Sequence, residues 1–391
     1  MPLLPLRKPL TWSLGKVVEI RALFRLKTWG NCRRDIPTSS FNNMAQKRTI
    51  HSFFTPDPKK QRIATIADED DTPTYSSQNT YPFPIRDLSK AITKELTSLP
   101  ARPGRPINDQ PELDLIYFEP FIPSYLAKDL FRFLRSELPF YRVEYSIKRF
   151  GVETQIRTPR YTTVFGLDHT SLFDDDNPSI ILDARTHTRI NIGEVYPRYS
   201  PRPIPQCLDA LRKSTEAATN CKFNFCLVNY YATGSDSISF HSDDERFLGP
   251  EPAIASFSLG AARDFLMKHK PVPPPPDGQT TVFKQLKLPL ASGDMILMKG
   301  KTQANWLHSI PKRAGKSSQY GDGRINITFR RAMVKGGTDN YYNYNVGKGP
   351  VFRWDDTARE MKEWKPAPKA SPERKPITHP KPEKDEPEKA D

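Results

Sequence analysis

From residue 113 the chain takes on the alternation of a half-buried strand: Leu113-Asp-Leu-Ile-Tyr-Phe118 places apolar side chains at every second position or closer. Ser124 is placed to cap a helix running to about Glu137, with Leu126, Leu130, Phe131, Phe133 and Leu134 near helical spacing. A second helix is predicted from Pro205 to Thr219, with Leu208 and Leu211 facing inward. Strand-like runs follow one another at 141–148, 161–165, 222–231, 237–241, 253–259, 263–268, 285–289, 294–298 and 324–331. Pro271 to Pro276 is a rigid spacer inside a hairpin-like connection. Many short strands behind N-terminal helices predict an α+β, mainly β fold: a double-stranded β-helix (jelly roll) with supporting helices.

The same pattern sets the domain organisation. Residues 113–335 hold the core-forming sequence, interrupted at about 167–195 by an insertion containing Phe173-Asp-Asp-Asp-Asn-Pro178. Residues 63–112, the larger part of a tail spanning 44–112, are acidic-polar and then Pro/Arg-rich, and 336–391 become Lys/Glu/Pro-rich, compositions that do not bury enough apolar surface to fold. Both are expected to be disordered tails. Residues 1–43 carry eight Lys or Arg against Glu19 and Asp35, with interspersed Leu, Trp and Phe. They read either as a mitochondrial presequence or as an artefact of start-site choice, since Met44 opens a sensible N-terminus.

Charge narrows the partners. The net charge of +14 suits a polyanion. The four cysteines (32, 207, 221, 226) have no zinc spacing and suggest a reducing compartment. No run approaches the length of a membrane span.

The chemistry lies in His241-Ser-Asp243 and His308. Side chains at i and i+2 of a strand share a side, so His241 and Asp243 at a strand end can reach one ion, with His308 arriving from another strand. Two imidazoles and one carboxylate form the facial triad of non-haem Fe(II) oxygenases, which leaves positions open for a co-substrate and O₂. Other histidines lie in tails, beside the insertion or next to the proline tract. Arg324-Ile-Asn-Ile-Thr-Phe-Arg330 alternates cleanly: Arg324, Asn326, Thr328 and Arg330 on one face, Ile325, Ile327 and Phe329 on the other. Two inward arginines require an anion, because unpaired buried charge is costly. A dicarboxylate such as 2-oxoglutarate fits: its keto acid end chelates Fe(II) and its far carboxylate takes an arginine fork.

Asn229-Tyr-Tyr-Ala-Thr-Gly234 through His241-Ser-Asp243-Asp-Glu245, then Ile254 to Phe265, then Arg324 to Arg330, resembles the core signature of the AlkB family over roughly residues 113–335. The resemblance is closest to the eukaryotic DNA-repair members. It implies an Fe(II)/2-oxoglutarate dioxygenase, with Asn229, Tyr231, Arg324, Asn326, Thr328 and Arg330 fixing the co-substrate. It further implies hydroxylation of an N-methyl group on 1-methyladenine or 3-methylcytosine in DNA, coupled to decarboxylation to succinate and CO₂. The hemiaminal would lose formaldehyde. Lys148-Arg149-Phe150 is placed like the flipping hairpin of that family, with Phe150 as the wedge that fills the space of an extruded base. Asp244 and Glu245 are candidates to accept hydrogen bonds from the exocyclic amine of the base, and Tyr196 is a candidate to stack on it.

Gln46-Lys47-Arg-Thr-Ile50-His-Ser-Phe53-Phe54 resembles the peptide that binds the sliding clamp PCNA, with Ile50, Phe53 and Phe54 as apolar anchors. The usual glutamine sits one place early, at Gln46, and Lys47 occupies its slot. With Pro58-Lys-Lys-Gln-Arg62 behind it, this predicts a nuclear, monomeric DNA-binding protein, or a mitochondrial one if residues 1–43 are a presequence.

Overall fold

The protein is described by a computed structural model covering residues 72–149, 152–273, 282–313 and 323–366. The clamp-type peptide 46–54 and Phe150 lie outside the described residues.

The period-2 segments become strands of two sheets. The larger uses β1 (Arg105–Ile107), β2 (Leu115–Phe118), β3 (Phe140–Tyr141), β6 (Tyr161–Gly166), β7 (Phe225–Tyr231), β9 (Ile254–Gly260), β12 (Met295–Met298), β14 (Arg324–Arg330), β15 (Val351–Asp355) and β16 (Glu360–Glu363). The smaller uses β8 (Ile238–His241), β10 (Arg263–His269), β11 (Leu286–Leu290) and β13 (Trp306–Ile310). A separate hairpin joins β4 (Glu144–Arg149) to β5 (Val152–Arg157). Hydrogen bonding runs β16-β15-β3-β6-β7-β14-β9-β12-β2-β1 in the larger sheet and β8-β13-β10-β11 in the smaller. Every pairing between these strands is antiparallel.

Alternation decides which core each residue joins. Phe225, Leu227 and Tyr231 point into an apolar cluster shared with Phe265, Met267, Trp306 and Ile310 of the smaller sheet, so the two sheets pack face to face. Cys226, Val228 and Tyr230 point outward, as do Ile325, Ile327 and Phe329. They are covered by Leu126, Leu130, Phe131 and Leu134 of α1 (Ser124–Glu137) and by Leu208 and Leu211 of α2 (Gln206–Thr219). Strand β7 is therefore buried along its whole length. Both helices stand where the apolar spacing predicts them, although Pro123 rather than Ser124 occupies the cap position of α1. Gly260 ends β9 at φ +88, and a Cβ there would meet the Gly323 carbonyl at 2.6 Å and the Phe131 ring at 2.7 Å. Close approach of helix and sheet thus demands glycine at this point.

Two expectations are corrected. Residues 72–112 are not a disordered tail: they form a small hairpin, a helix at Lys90–Leu96 and strand β1, and Ile85, Leu88 and Leu96 enter the main core. Residues 336–366 are likewise folded, into α3 (Asp339–Asn345), β15 and β16. In both segments the elements are seven residues or shorter, too short to give a periodic signal. The insertion carries its own hairpin, Ser171–Phe173 with Ile181–Asp183, around Leu167, Ile181 and Tyr196. No helix of the described residues is long and apolar enough to cross a membrane.

Candidate metal and co-substrate site

His241 is the last residue of β8, and antiparallel register sets it directly opposite His308 on β13. The imidazole centroids are 4.2 Å apart. Asp243 lies two residues past the strand, and the side-chain carbonyl of Gln303 accepts from its backbone N–H at 2.9 Å. The carboxylate approaches Nε2 of His241 at 3.9 Å and Nε2 of His308 at 3.8 Å. One ligand atom from each of the three lies within 4.8 Å of the others. The Ser239 carbonyl, 2.9 Å from Nδ1 of His241, can only accept, which places the proton on Nδ1 and leaves Nε2 as the donor to a metal.

Electrostatics favours the ligating protonation states. Burial and the neighbouring His241 pull the His308 imidazole down to about 3, so it is neutral. Burial alone would raise the Asp243 carboxyl, but Arg330, with His308 and His241, more than offsets this and holds it below the ordinary carboxylate range. A neutral His308, the imidazole of His241 and an ionised carboxylate converging on one point are the donor set for a divalent transition metal.

The triad opens into a cavity of about 220 Å³ whose wall includes Asn229, Tyr231, Glu245, Asn326 and Thr328. Both arginines of β14 line it, as the alternation predicts. They are otherwise unlike. Arg330 donates through Nη2 to Asp243 at 3.0 Å and through Nη1 to the Tyr341 hydroxyl at 2.5 Å, with Glu245 at 3.8 Å. Burial lowers its pKa, but these anionic neighbours more than offset that and raise it. Arg324, equally buried, donates through Nη2 to Ser258 at 2.7 Å and lies 5.4 Å over the Tyr231 ring. Its Nε and Nη1 have no partner, and burial brings its pKa down to about 10. A buried guanidinium with two vacant donors beside a metal-ligand triad fits the far carboxylate of a dicarboxylic acid.

Polar side chains line the floor between them. Arg160 donates through Nε to Asn229 at 2.9 Å, Asn229 donates to Asn326 at 3.3 Å, and Asn326 donates to Ser256 and the Phe257 carbonyl. Thr328 donates to the Leu227 carbonyl at 3.2 Å. Burial pushes the Glu245 carboxyl up to about 7 despite Arg330.

Two base-contact candidates are not among the residues that line the cavity. Asp244 does not line the cavity and pairs with Lys270 at 2.8 Å. Tyr196 is 2% exposed inside the insertion's own core, donating to Asp168 at 2.7 Å, and does not line the cavity. Expectations for the clamp peptide and Phe150 fall outside the described residues, and β4 carries the backbone of Lys148 and Arg149. Sequence reasoning missed Gln303, Arg160, Tyr341 and Asn345. Arg160 was visible in Thr158-Pro-Arg160, and Tyr341 in the aromatic run Tyr341-Tyr-Asn-Tyr344.

Residues 114–330 match the profile of the 2OG-Fe(II) oxygenase superfamily. A rat protein named alpha-ketoglutarate-dependent dioxygenase alkB homolog 3 is 41% identical over 138 residues, 34% of this chain and 45% of its own length. DNA oxidative demethylase ALKBH2 of Arabidopsis thaliana is 33% identical over 242 residues, 56% of this chain and 67% of its own. Human DNA oxidative demethylase ALKBH2 is 38% identical over 135 residues, 34% of this chain and 49% of its own. The chain spans about half the length of the mammalian relatives it matches. The cofactors of the superfamily, Fe(II) and 2-oxoglutarate with O₂, suit the donors found here: the His241–Asp243–His308 triad and the vacant donors of Arg324. The chain belongs to the AlkB family of 2OG-Fe(II) oxygenases.

Proposed function

We propose that the protein demethylates N-alkylated bases in DNA, 1-methyladenine and 3-methylcytosine among them, coupling the oxidation to decarboxylation of 2-oxoglutarate. The observation that carries this is one cavity holding both a three-ligand centre and a buried arginine without an anionic partner. Bound iron would supply the redox chemistry by which O₂ is reduced while 2-oxoglutarate becomes succinate and CO₂. The chain's own residues do the rest. His241, Asp243 and His308 hold the metal. Arg324, with Tyr231 and Ser258 behind it, holds the far carboxylate of the co-substrate. Glu245 faces the cavity as an acceptor for the exocyclic amine of a cationic methylated base, whose charge it complements. The methyl group gains one oxygen, and the resulting hemiaminal breaks its C–N bond to give formaldehyde and the plain base.

The same reading assigns β7 to β14 to a jelly roll. These eight consecutive strands pair as first-eighth-third-sixth in one sheet and second-seventh-fourth-fifth in the other, which supports it. DNA as partner is supported by the charge of +14 and by the relatives' names. Sliding-clamp binding through Ile50, Phe53 and Phe54 belongs to this proposal and is supported by the peptide pattern alone.

Formaldehyde release should be measured from oligonucleotides carrying 1-methyladenine or 3-methylcytosine, in single- and double-stranded DNA and in RNA. Turnover that depends on lesion, iron and 2-oxoglutarate is expected on DNA. Turnover on RNA alone, or none on any methylated strand, would overturn the assignment.

A further inference from the structure

We propose that Tyr341 is a positioning residue of the metal centre, delivered by a helix outside the segment that matches the superfamily. That segment ends at residue 330, and α3 begins at Asp339. Among the residues lining the cavity, Tyr341 and Asn345 come from beyond it, both on α3. This inference rests on reading His241, Asp243 and His308 as metal ligands.

The argument turns on what Arg330 could do otherwise. Its guanidinium has two carboxylates in reach: Asp243, 3.0 Å from Nη2, and Glu245, 3.8 Å from Nη1. Asp243 must offer its remaining lone pairs to a metal, and Arg330 orients it for that. Glu245 competes for the same cation. The Tyr341 hydroxyl accepts from Nη1 at 2.5 Å, and its ring lies 5.2 Å from the guanidinium carbon. Tyr341 therefore occupies the Nη1 donor that would otherwise draw the guanidinium toward Glu245, and keeps Nη2 on Asp243.

A positioning group must itself be fixed, and this one is. The Tyr341 ring meets Phe225 at 5.5 Å and Phe247 at 5.4 Å, both edge-on. The next residue, Tyr342, is fully buried and donates to the Gly166 carbonyl at 2.8 Å. The helix start is tied down where Asp339 accepts from the backbone N–H groups of Arg198 at 2.9 Å and Tyr199 at 3.0 Å. Near its end, Thr162 donates to the Asn345 carbonyl. All of these anchors but Phe247 lie on β6, β7 and the 198–199 loop, elements that carry none of the metal ligands; Phe247 belongs to the turn that follows Asp243 and Glu245.

The test uses the full chain, metal-free, titrated with Co(II) as an oxygen-stable probe and followed by visible absorption. Tyr341→Phe keeps the ring and removes the acceptor. It should weaken Co(II) binding by about 10-fold, the scale of outer partners of metal ligands, while the KM for 2-oxoglutarate stays within about twofold. The double variant Tyr341→Phe/Glu245→Gln removes the rival carboxylate and should bring Co(II) affinity back toward that of Glu245→Gln alone. A structural role for the tyrosine would lower the melting temperature without this rescue. Co(II) binding by Tyr341→Phe equal to wild type, or a loss that Glu245→Gln does not restore, overturns the inference. Failure of the wild type itself to bind Co(II) would instead remove the metal-site reading beneath it, and is told apart because no variant then differs.

Discussion

The two ends of strand β14 carry the same residue type at the same depth and do opposite things. Arg330 and Arg324 are 2% and 1% exposed and lie on one face of one strand. At the Arg330 end the protein supplies its own anions, Asp243 and Glu245, and the guanidinium is more strongly basic than usual. At the Arg324 end it supplies a hydroxyl and an aromatic face, leaves two nitrogens without a partner against one at Arg330, and the guanidinium is less basic than usual. The first is an internal strut for the metal ligands. The second is a charge left for a ligand to neutralise. Burial of an arginine therefore says nothing about its role until its anion has been found inside or outside the chain.

The comparison makes predictions that separate the ends. The largest effect is expected from Asp243→Ala. Turnover should fall below detection, and the metal-free protein should lose about 3 kcal/mol of stability, because Arg330 keeps its burial but loses its nearest carboxylate. Formaldehyde release and chemical denaturation check the two parts. An unchanged denaturation midpoint would mean that the pair holds nothing together. Next, Arg324→Ala should raise the KM for 2-oxoglutarate by about 100-fold, the worth of a charge-assisted fork at about 1.4 kcal/mol per decade. Its stability should not fall by a comparable amount, since no internal ion pair is broken. If Arg324→Ala instead destabilises the fold as much as Asp243→Ala, the two ends are alike and the comparison fails. The smallest effect is expected from Arg330→Lys, which keeps the charge but not the fork. Co(II) affinity should drop about 10-fold with the KM for 2-oxoglutarate moving less than about threefold. The sequence alone suggested that both arginines hold the co-substrate, so a large KM change here would restore that simpler view.

Much of this was legible before any coordinates. The alternation of Arg324 to Arg330 assigned each side chain to its face, because strand geometry leaves only two. His241 and Asp243 could be paired with His308 because other histidines lay in tails, the insertion's flanks or the proline tract. What alternation cannot convey is depth or partner. Nothing local distinguishes Arg324 from Arg330; the difference is made by Asp243, Glu245 and Tyr341 arriving from elsewhere. Loops have no period, so Asp244, adjacent to a ligand, was expected in the cavity and instead faces Lys270. Tyr196 was expected to stack on the base, whereas its hydroxyl donates to Asp168 inside the insertion's own core. The helix bearing Tyr341 was lost in a tail judged on average composition, though its residues are aromatic.

The opposed register of His241 and His308 has a mechanical side. Both histidines ride on the smaller sheet, whereas Arg324 and Arg330 ride on the larger, and the cavity lies in the seam between them. A metal held from one side and a dicarboxylate held from the other, joined by chelation, would rivet the two layers together. Empty, the seam is closed chiefly by apolar packing and by the bond from Arg330 to Asp243. Loaded, each occupant adds its own binding free energy to the cohesion of the layers, about 2.7 kcal/mol at a hundredfold excess over its dissociation constant. On this reading, iron and 2-oxoglutarate would raise the fraction of molecules that stay folded as well as supplying the chemistry.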